Sequence, residues 1–133
     1  KLDDKSISVY VVNFANSDMV GHTGNYEAAI KAIEALDKCI AILKKKCAEQ
    51  GVAMIITADH GNSDQMIYPD GSAHTSHSDA EVPFCVVHPL LRDTTLELNS
   101  TLKVMALKDV APTILRILNL PKPELLTGES IFL

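Results

Sequence analysis

Two short stretches of this 133-residue chain carry side chains able to bind a cation together. The first is Asp18-Met19-Val20-Gly21-His22, an acid and an imidazole at i, i+4 spacing. One turn of helix would put both on the same side, and Gly21 and Gly24 let the backbone turn tightly there. The second is Asp59-His60-Gly61-Asn62, followed by a polar stretch that holds His74 and His77. Aspartate and histidine supply oxygen and nitrogen donors, a set that suits manganese, zinc or a similar divalent ion. Calcium would not favour so many imidazoles.

Taken singly, these residues have plainer uses. Asp18 serves as a helix or turn cap, His22 as a buried hydrogen-bonded imidazole and Asp59 as a turn residue. His74 and His77 serve as exposed loop residues. The order of the elements is what joins them. Residues 8–14, Ser-Val-Tyr-Val-Val-Asn-Phe, are β-branched and continuously apolar, as a strand buried on both faces should be. Residues 16–25 read as a loop with one helical turn. From residue 26 to 50 the period becomes 3.6, with Ala29, Ile33, Leu36, Ile40, Leu43 and Cys47 on one stripe. Asn25 can cap this helix, Glu27 and Lys44 to Lys46 complement its dipole, and Gly51 ends it. Residues 52–57, Val-Ala-Met-Ile-Ile-Thr, form a second strand.

Strand, long helix and strand predict a βαβ unit with parallel strands and a right-handed crossover. In an open parallel sheet, ligands bind beyond the carboxyl ends of the strands. Asp18 and His22 lie beyond the first strand, Asp59 and His60 directly beyond the second, and the long loop over residues 59–82 carries His74 and His77. The topology therefore gathers these groups at one rim. Further along, a strand is predicted near residues 84–88, another near 95–98, and a last helix over about 108–120. Asp109 is its candidate cap, Pro112 is tolerated in its first turn, and residues 127–130 make a turn. His88, next to Pro89, reads as structural.

Other chemistries find little support. Ser17, Ser63, Ser76 and Ser78 lie near the presumed site, but none sits in a Gly-x-Ser-x-Gly elbow. There is no Walker-type glycine loop and no basic groove with interleaved aromatics. A net charge of −5 does not attract nucleic acid. Hydrophobic residues make up 47%, enough for a core, yet no apolar run approaches the roughly 20 residues of a bilayer helix. Cys39, Cys47 and Cys85 are odd in number and lack C-x-x-C spacing, which argues against disulfides and a cysteine zinc site. They read as plain buried thiols in a reducing cytoplasm. The polar start shows no signal peptide, and its lack of methionine is expected of an excised or processed piece.

At these residues the chain resembles a known family. Asn13-Phe14-Ala15-Asn16-Ser17-Asp18-Met19-Val20-Gly21-His22-Thr23-Gly24, Thr57-Ala58-Asp59-His60-Gly61-Asn62 and His74-Thr75-Ser76-His77 are similar to the cofactor-independent (2,3-bisphosphoglycerate-independent) phosphoglycerate mutases of the alkaline phosphatase superfamily. Asp109-Val110-Ala111-Pro112-Thr113 and Leu126-Thr127-Gly128-Glu129-Ser130 resemble that family's last segments. The resemblance implies an α/β fold, an alkaline phosphatase-like core with a mostly parallel sheet flanked by helices. Residues 1–133 would be the carboxy-terminal portion of the phosphatase-like metalloenzyme domain, without the amino-terminal segment and the transferase domain.

The same resemblance implies two divalent metal ions, usually manganese and in some members magnesium, cobalt or zinc, with no requirement for 2,3-bisphosphoglycerate. Residues matching Asp18, His22 and His77 would hold one ion. Asp59 and His60 would hold the second, together with an aspartate and the nucleophilic serine from the amino-terminal segment. In the family that serine takes phosphate from 2- or 3-phosphoglycerate and returns it to the other hydroxyl of the retained glycerate, a step of glycolysis and gluconeogenesis. No catalytic nucleophile is expected within this chain, so alone it is expected to be inactive. The full-length enzyme would be a cytoplasmic monomer with no nucleic-acid or membrane partner. The rival readings are another phosphomutase or phosphatase of the superfamily, and a non-catalytic metal-binding module. The Met19-to-Gly24 run argues against the former, and the retention of all five implied ligands against the latter.

Overall fold

Asp18 sits in the first turn of a short helix, α1, Asn16–Gly21, where the helix dipole favours an anion. The computed structural model describes residues 2–88 and 96–133. After α1 the backbone turns at His22 and Thr23, whose amides reach Asp18 O and Val20 O, and Gly24 takes a left-handed φ of 68°. The second helix, α2, spans Tyr26–Gln50 between the two signals legible in the sequence. Asn25 Oδ1 accepts from Ala28 N at 3.0 Å, and Gly51 adopts φ 66° and ψ 30° with its amide on Ala48 O. Ala29, Ala32 and Cys47 are buried along α2, whereas Ile33 on the expected stripe is exposed. It lines, with Tyr26, Ile30, Ser63 and Met66, an open groove of about 240 Å³.

Two strands follow, β1 over Met54–Thr57 and β2 over Phe84–Val87. They pair antiparallel, with Met54 opposite Val87 and Thr57 opposite Phe84. The parallel βαβ pairing expected from the sequence is absent among the described residues. Its first strand, residues 8–14, joins no ladder, and Val11 is 92% exposed. An apolar run signals that a segment requires cover; it does not say which segment supplies it. The antiparallel pairing follows from the loop. Residues 58–83 are an irregular hairpin rather than a featureless excursion, closed by isolated bridges between Gly61 and Ser78 and between Ile67 and Ala73. Its tip turns at Gly71, φ 85°, with Tyr68 N on Ser72 O. A hairpin returns the chain in the opposite direction, so β2 runs back along β1. Helices and strands together keep the chain in the α/β class.

These elements belong to the first of two compact units, Lys1–Pro89. In the second, Leu90–Leu133, a 3₁₀ turn at Leu107–Asp109 leads into helix α3, Val110–Ile117. The carboxylate of Asp109 does not cap α3 as expected. It is fully buried and accepts from Ala106 N and Glu129 N, each at 2.9 Å. Thr113, also fully buried, donates its hydroxyl to Asp109 O and accepts from Ile131 N. The two terminal motifs are thus bonded to each other. The helix stops short of residue 120 because Asn119 turns left-handed, φ 54°, while Leu118 N and Leu120 N close onto Ile114 O and Leu115 O. The strand expected at 95–98 lies partly outside the described residues; Leu98 makes one isolated bridge with Phe132. All three cysteines are free, but only Cys47 is buried; Cys39 and Cys85 face outward from α2 and β2.

Candidate metal centre

The groups that the sequence distributes over α1, the exit of β1 and the hairpin meet in space. Asp18 Oδ1 is 3.3 Å from His22 Nε2 and 3.2 Å from His77 Nε2. Donor atoms of Asp18, His60 and His77 all lie within 4.8 Å of one another. The imidazoles of His60 and His77 stack at 3.6 Å, and those of His22 and His77 stand 5.0 Å apart. Asp59 stays at the margin: its Oδ1 is 3.7 Å from His60 Nε2 and its side chain is 85% exposed.

Local structure accounts for this convergence. His22 follows α1 by one residue, so the i, i+4 relation to Asp18 holds through the helix end. His60 stands three residues past β1. The Gly61–Ser78 bridge brings their neighbours His60 and His77 side by side, at a separation so close that a Cβ on Gly61 would overlap Ser78 Oγ. The loop end is tied by Asp64, whose carboxylate accepts from Asn62 N and Ser78 Oγ, both at 2.7 Å. Those bonds hold the Asp64 carboxyl below the ordinary carboxylate value, Ser78 contributing most, against a smaller desolvation effect. α1 docks onto the same loop end. Ser63 Oγ donates to Ser17 O at 2.8 Å, and Asn62 Nδ2 donates to Asp18 Oδ1 at 2.7 Å. Asn62 escaped the sequence reading as a site residue, although it closes the quoted Thr57-to-Asn62 motif.

Two of the imidazoles are tied to backbone carbonyls, and for His22 the bond fixes what faces Asp18. His22 Nδ1 lies 2.7 Å from Thr75 O and His60 Nδ1 3.2 Å from Gly61 O. A carbonyl oxygen only accepts, so each Nδ1 carries a proton, and in the neutral ring Nε2 presents a bare lone pair. For His22 that lone pair meets a carboxylate oxygen, which also has only lone pairs to offer. Such an approach is favourable when a positive charge, a proton or a cation, lies between or upon them. Imidazoles whose far nitrogen is tied to a backbone carbonyl are the usual arrangement of metal-binding histidines. The donor set therefore fits a divalent ion that accepts nitrogen and oxygen. Burial pushes the Asp18 carboxyl upward, but the Asn62 bond and the positive charge of the imidazoles of His22, His77 and His60 when protonated outweigh it, and the net shift is downward.

His74 does not join the cluster. It is buried, with its ring 4.4 Å from that of Tyr68 and its Nδ1 without a partner. His88 follows β2 and is half-buried. The hydroxyls of Ser63 and Ser78 are committed to Ser17 O and Asp64. No helix among the described residues is long and apolar enough to cross a membrane.

Comparison with known proteins bears on this geometry. A family model described as the metalloenzyme superfamily matches residues 1–122. The chain is 50% identical, over 123 residues, to the 2,3-bisphosphoglycerate-independent phosphoglycerate mutase of Francisella philomiragia, covering 92% of this chain and 23% of that protein. It is 46% identical over 121 residues to the enzyme of that name from Moorella thermoacetica, covering 91% and 22%. Among solved structures it is similar to a Leishmania mexicana phosphoglycerate mutase crystallised at low cobalt concentration, with a TM-score of 0.85 and 32% identity, over 99% of this chain and 26% of that one. The chain thus spans about a quarter of the length of the relatives it matches.

Proposed function

Because the chain belongs to the metalloenzyme superfamily, we propose that it supplies the divalent-metal centre of a 2,3-bisphosphoglycerate-independent phosphoglycerate mutase, which moves phosphate between the 2- and 3-hydroxyls of glycerate. The observation that carries this reading is the junction at Asp18. One carboxylate oxygen faces the Nε2 atoms of two histidines, and the His60 donor lies within the same 4.8 Å. The 50% and 46% identities to mutases, and the likeness to the Leishmania mutase at 32% identity, favour a mutase over another superfamily member.

In this reading Asp18, His22 and His77 bind one ion, and His60 with Asp59 offers two ligands to a second. Manganese fits the mixed oxygen and nitrogen donors, and cobalt, zinc or magnesium compete for the same place. A divalent ion held there supplies positive charge that neutralises phosphate oxygens and eases deprotonation of an attacking hydroxyl. The chain's own residues contribute the frame. Thr75 O and Gly61 O orient the imidazoles, and Asp18 contributes the anionic charge. The hydroxyls of Ser63 and Ser78 are already bonded within the chain, and we place the nucleophile, the substrate-binding groups and the mutase activity in the parts of the full-length relatives that this chain does not span.

The test is metal analysis by mass spectrometry on the purified chain after equilibration with manganese. Asp18→Ala and His77→Ala should each lose bound manganese while keeping the far-ultraviolet circular dichroism of the parent. Unchanged stoichiometry in both variants would refute the assignment.

A further inference from the structure

We propose that Asn62 is a positioning residue for Asp18, fixing the carboxylate so that Oδ1 is presented to the imidazoles and to a bound cation. This rests on the reading of Asp18 as a metal ligand. The amide nitrogen of Asn62 grips one residue at two points, Asp18 Oδ1 at 2.7 Å and Asp18 O at 3.4 Å. Both acceptors belong to Asp18, so the grip sets the side chain relative to its own backbone. The oxygen that Asn62 holds is the one that stands 3.3 and 3.2 Å from His22 and His77 Nε2. A carboxylate oxygen can accept an N–H and still offer a second lone pair.

The orientation of the amide is dictated by chemistry, since a carboxylate only accepts and Nδ2 must face it. That leaves Asn62 Oδ1 on the opposite side, buried and without a partner, in a residue only 5% exposed. An orphaned buried acceptor is costly. A residue kept for packing alone would be better served by leucine, which has nearly the same shape and no orphan. The orphan oxygen also explains Gly21. A Cβ there would overlap Asn62 Oδ1 outright and would press on Asn62 Cγ at 2.8 Å. Gly21 therefore clears the space in which the amide sits, and Asn62 in turn sets Asp18.

Cobalt(II) titration of the protein, followed by its visible d–d absorption, tests this without relying on activity. Asn62→Leu should bind cobalt about 10- to 100-fold more weakly, the range typical for loss of a group that orients a ligand, with a shifted d–d band. Gly21→Ala, which keeps the amide group but displaces it, should weaken binding likewise. The double variant should lose no more than the worse single variant, because both remove one interaction. Asp18→Ala is the reference. If Asp18→Ala loses cobalt but Asn62→Leu binds it with parental affinity and spectrum, the positioning role is overturned and the metal centre stands. If Asp18→Ala binds like the parent, both fail. Should Asn62→Leu not fold, as judged by circular dichroism, Gly21→Ala decides, and parental affinity in it overturns the proposal.

Discussion

At the candidate site one carboxylate oxygen of Asp18 faces the Nε2 atoms of His22 and His77. Asp18, His22, His60 and His77 were legible in the sequence as the acid and imidazoles of short motifs, and the structure brings them around one carboxylate oxygen, but through α1 and the hairpin rather than at the rim of the expected parallel sheet. Asn62 and Asp64 were not legible, since an amide or acid within a few residues of a glycine reads as an ordinary turn. Their roles appear only when α1 and Ser78 are folded against them. Asp64 carries a pH dependence of known sign. Its carboxyl is lowered in the folded chain, chiefly by Ser78, so its stabilisation is complete above the unfolded value and fades as pH falls through the folded one. Asp64→Asn should lower the melting temperature at neutral pH and flatten the acid limb of stability below about pH 4. An acid limb as steep as the parent's would contradict this role.

Among the helices and strands, local signals held and distant ones did not. α2 runs between Asn25 and Gly51 because a side-chain oxygen at one end and a left-handed residue at the other are dictated within a few residues. Asn25→Ala should cost about 1 kcal/mol in urea unfolding by leaving Ala28 N without its cap. Gly51→Ala should cost roughly 1–2 kcal/mol for conformational reasons alone, since a Cβ there meets nothing within 4 Å. By contrast, residues 8–14 have the composition of a buried strand and no ladder. Strand pairing is a property of two segments, and one segment's apolar pattern states only half of it. The antiparallel partner of β1 was hidden for the same reason: it depends on the hairpin closing at Gly61 and Ser78.

For the molecule as a whole, the resemblance read from motifs between Asn13 and Ser130 is matched by the family model over residues 1–122 and by a TM-score of 0.85 to a solved mutase. The two terminal motifs owe their pairing to the Asp109 and Thr113 knot, which joins residues up to 20 positions apart and so left no local trace. Thr113→Val keeps the shape but strips Ile131 N of its acceptor. It should cost about 1–3 kcal/mol and raise hydrogen exchange at the Ile131 amide. Unaltered protection there would show that the hydroxyl is dispensable. The same logic, shape kept and polar atoms removed, separates packing from chemistry at Asn62.

Both the proposed function and the role of Asn62 require a divalent ion where Asp18 and His77 meet. Anomalous scattering from crystals grown with manganese locates that ion without reference to activity. A peak is expected within roughly 2.0–2.3 Å of Asp18 Oδ1 and His77 Nε2. Crystals that show manganese elsewhere on the chain, with no peak beside those two atoms, would contradict it.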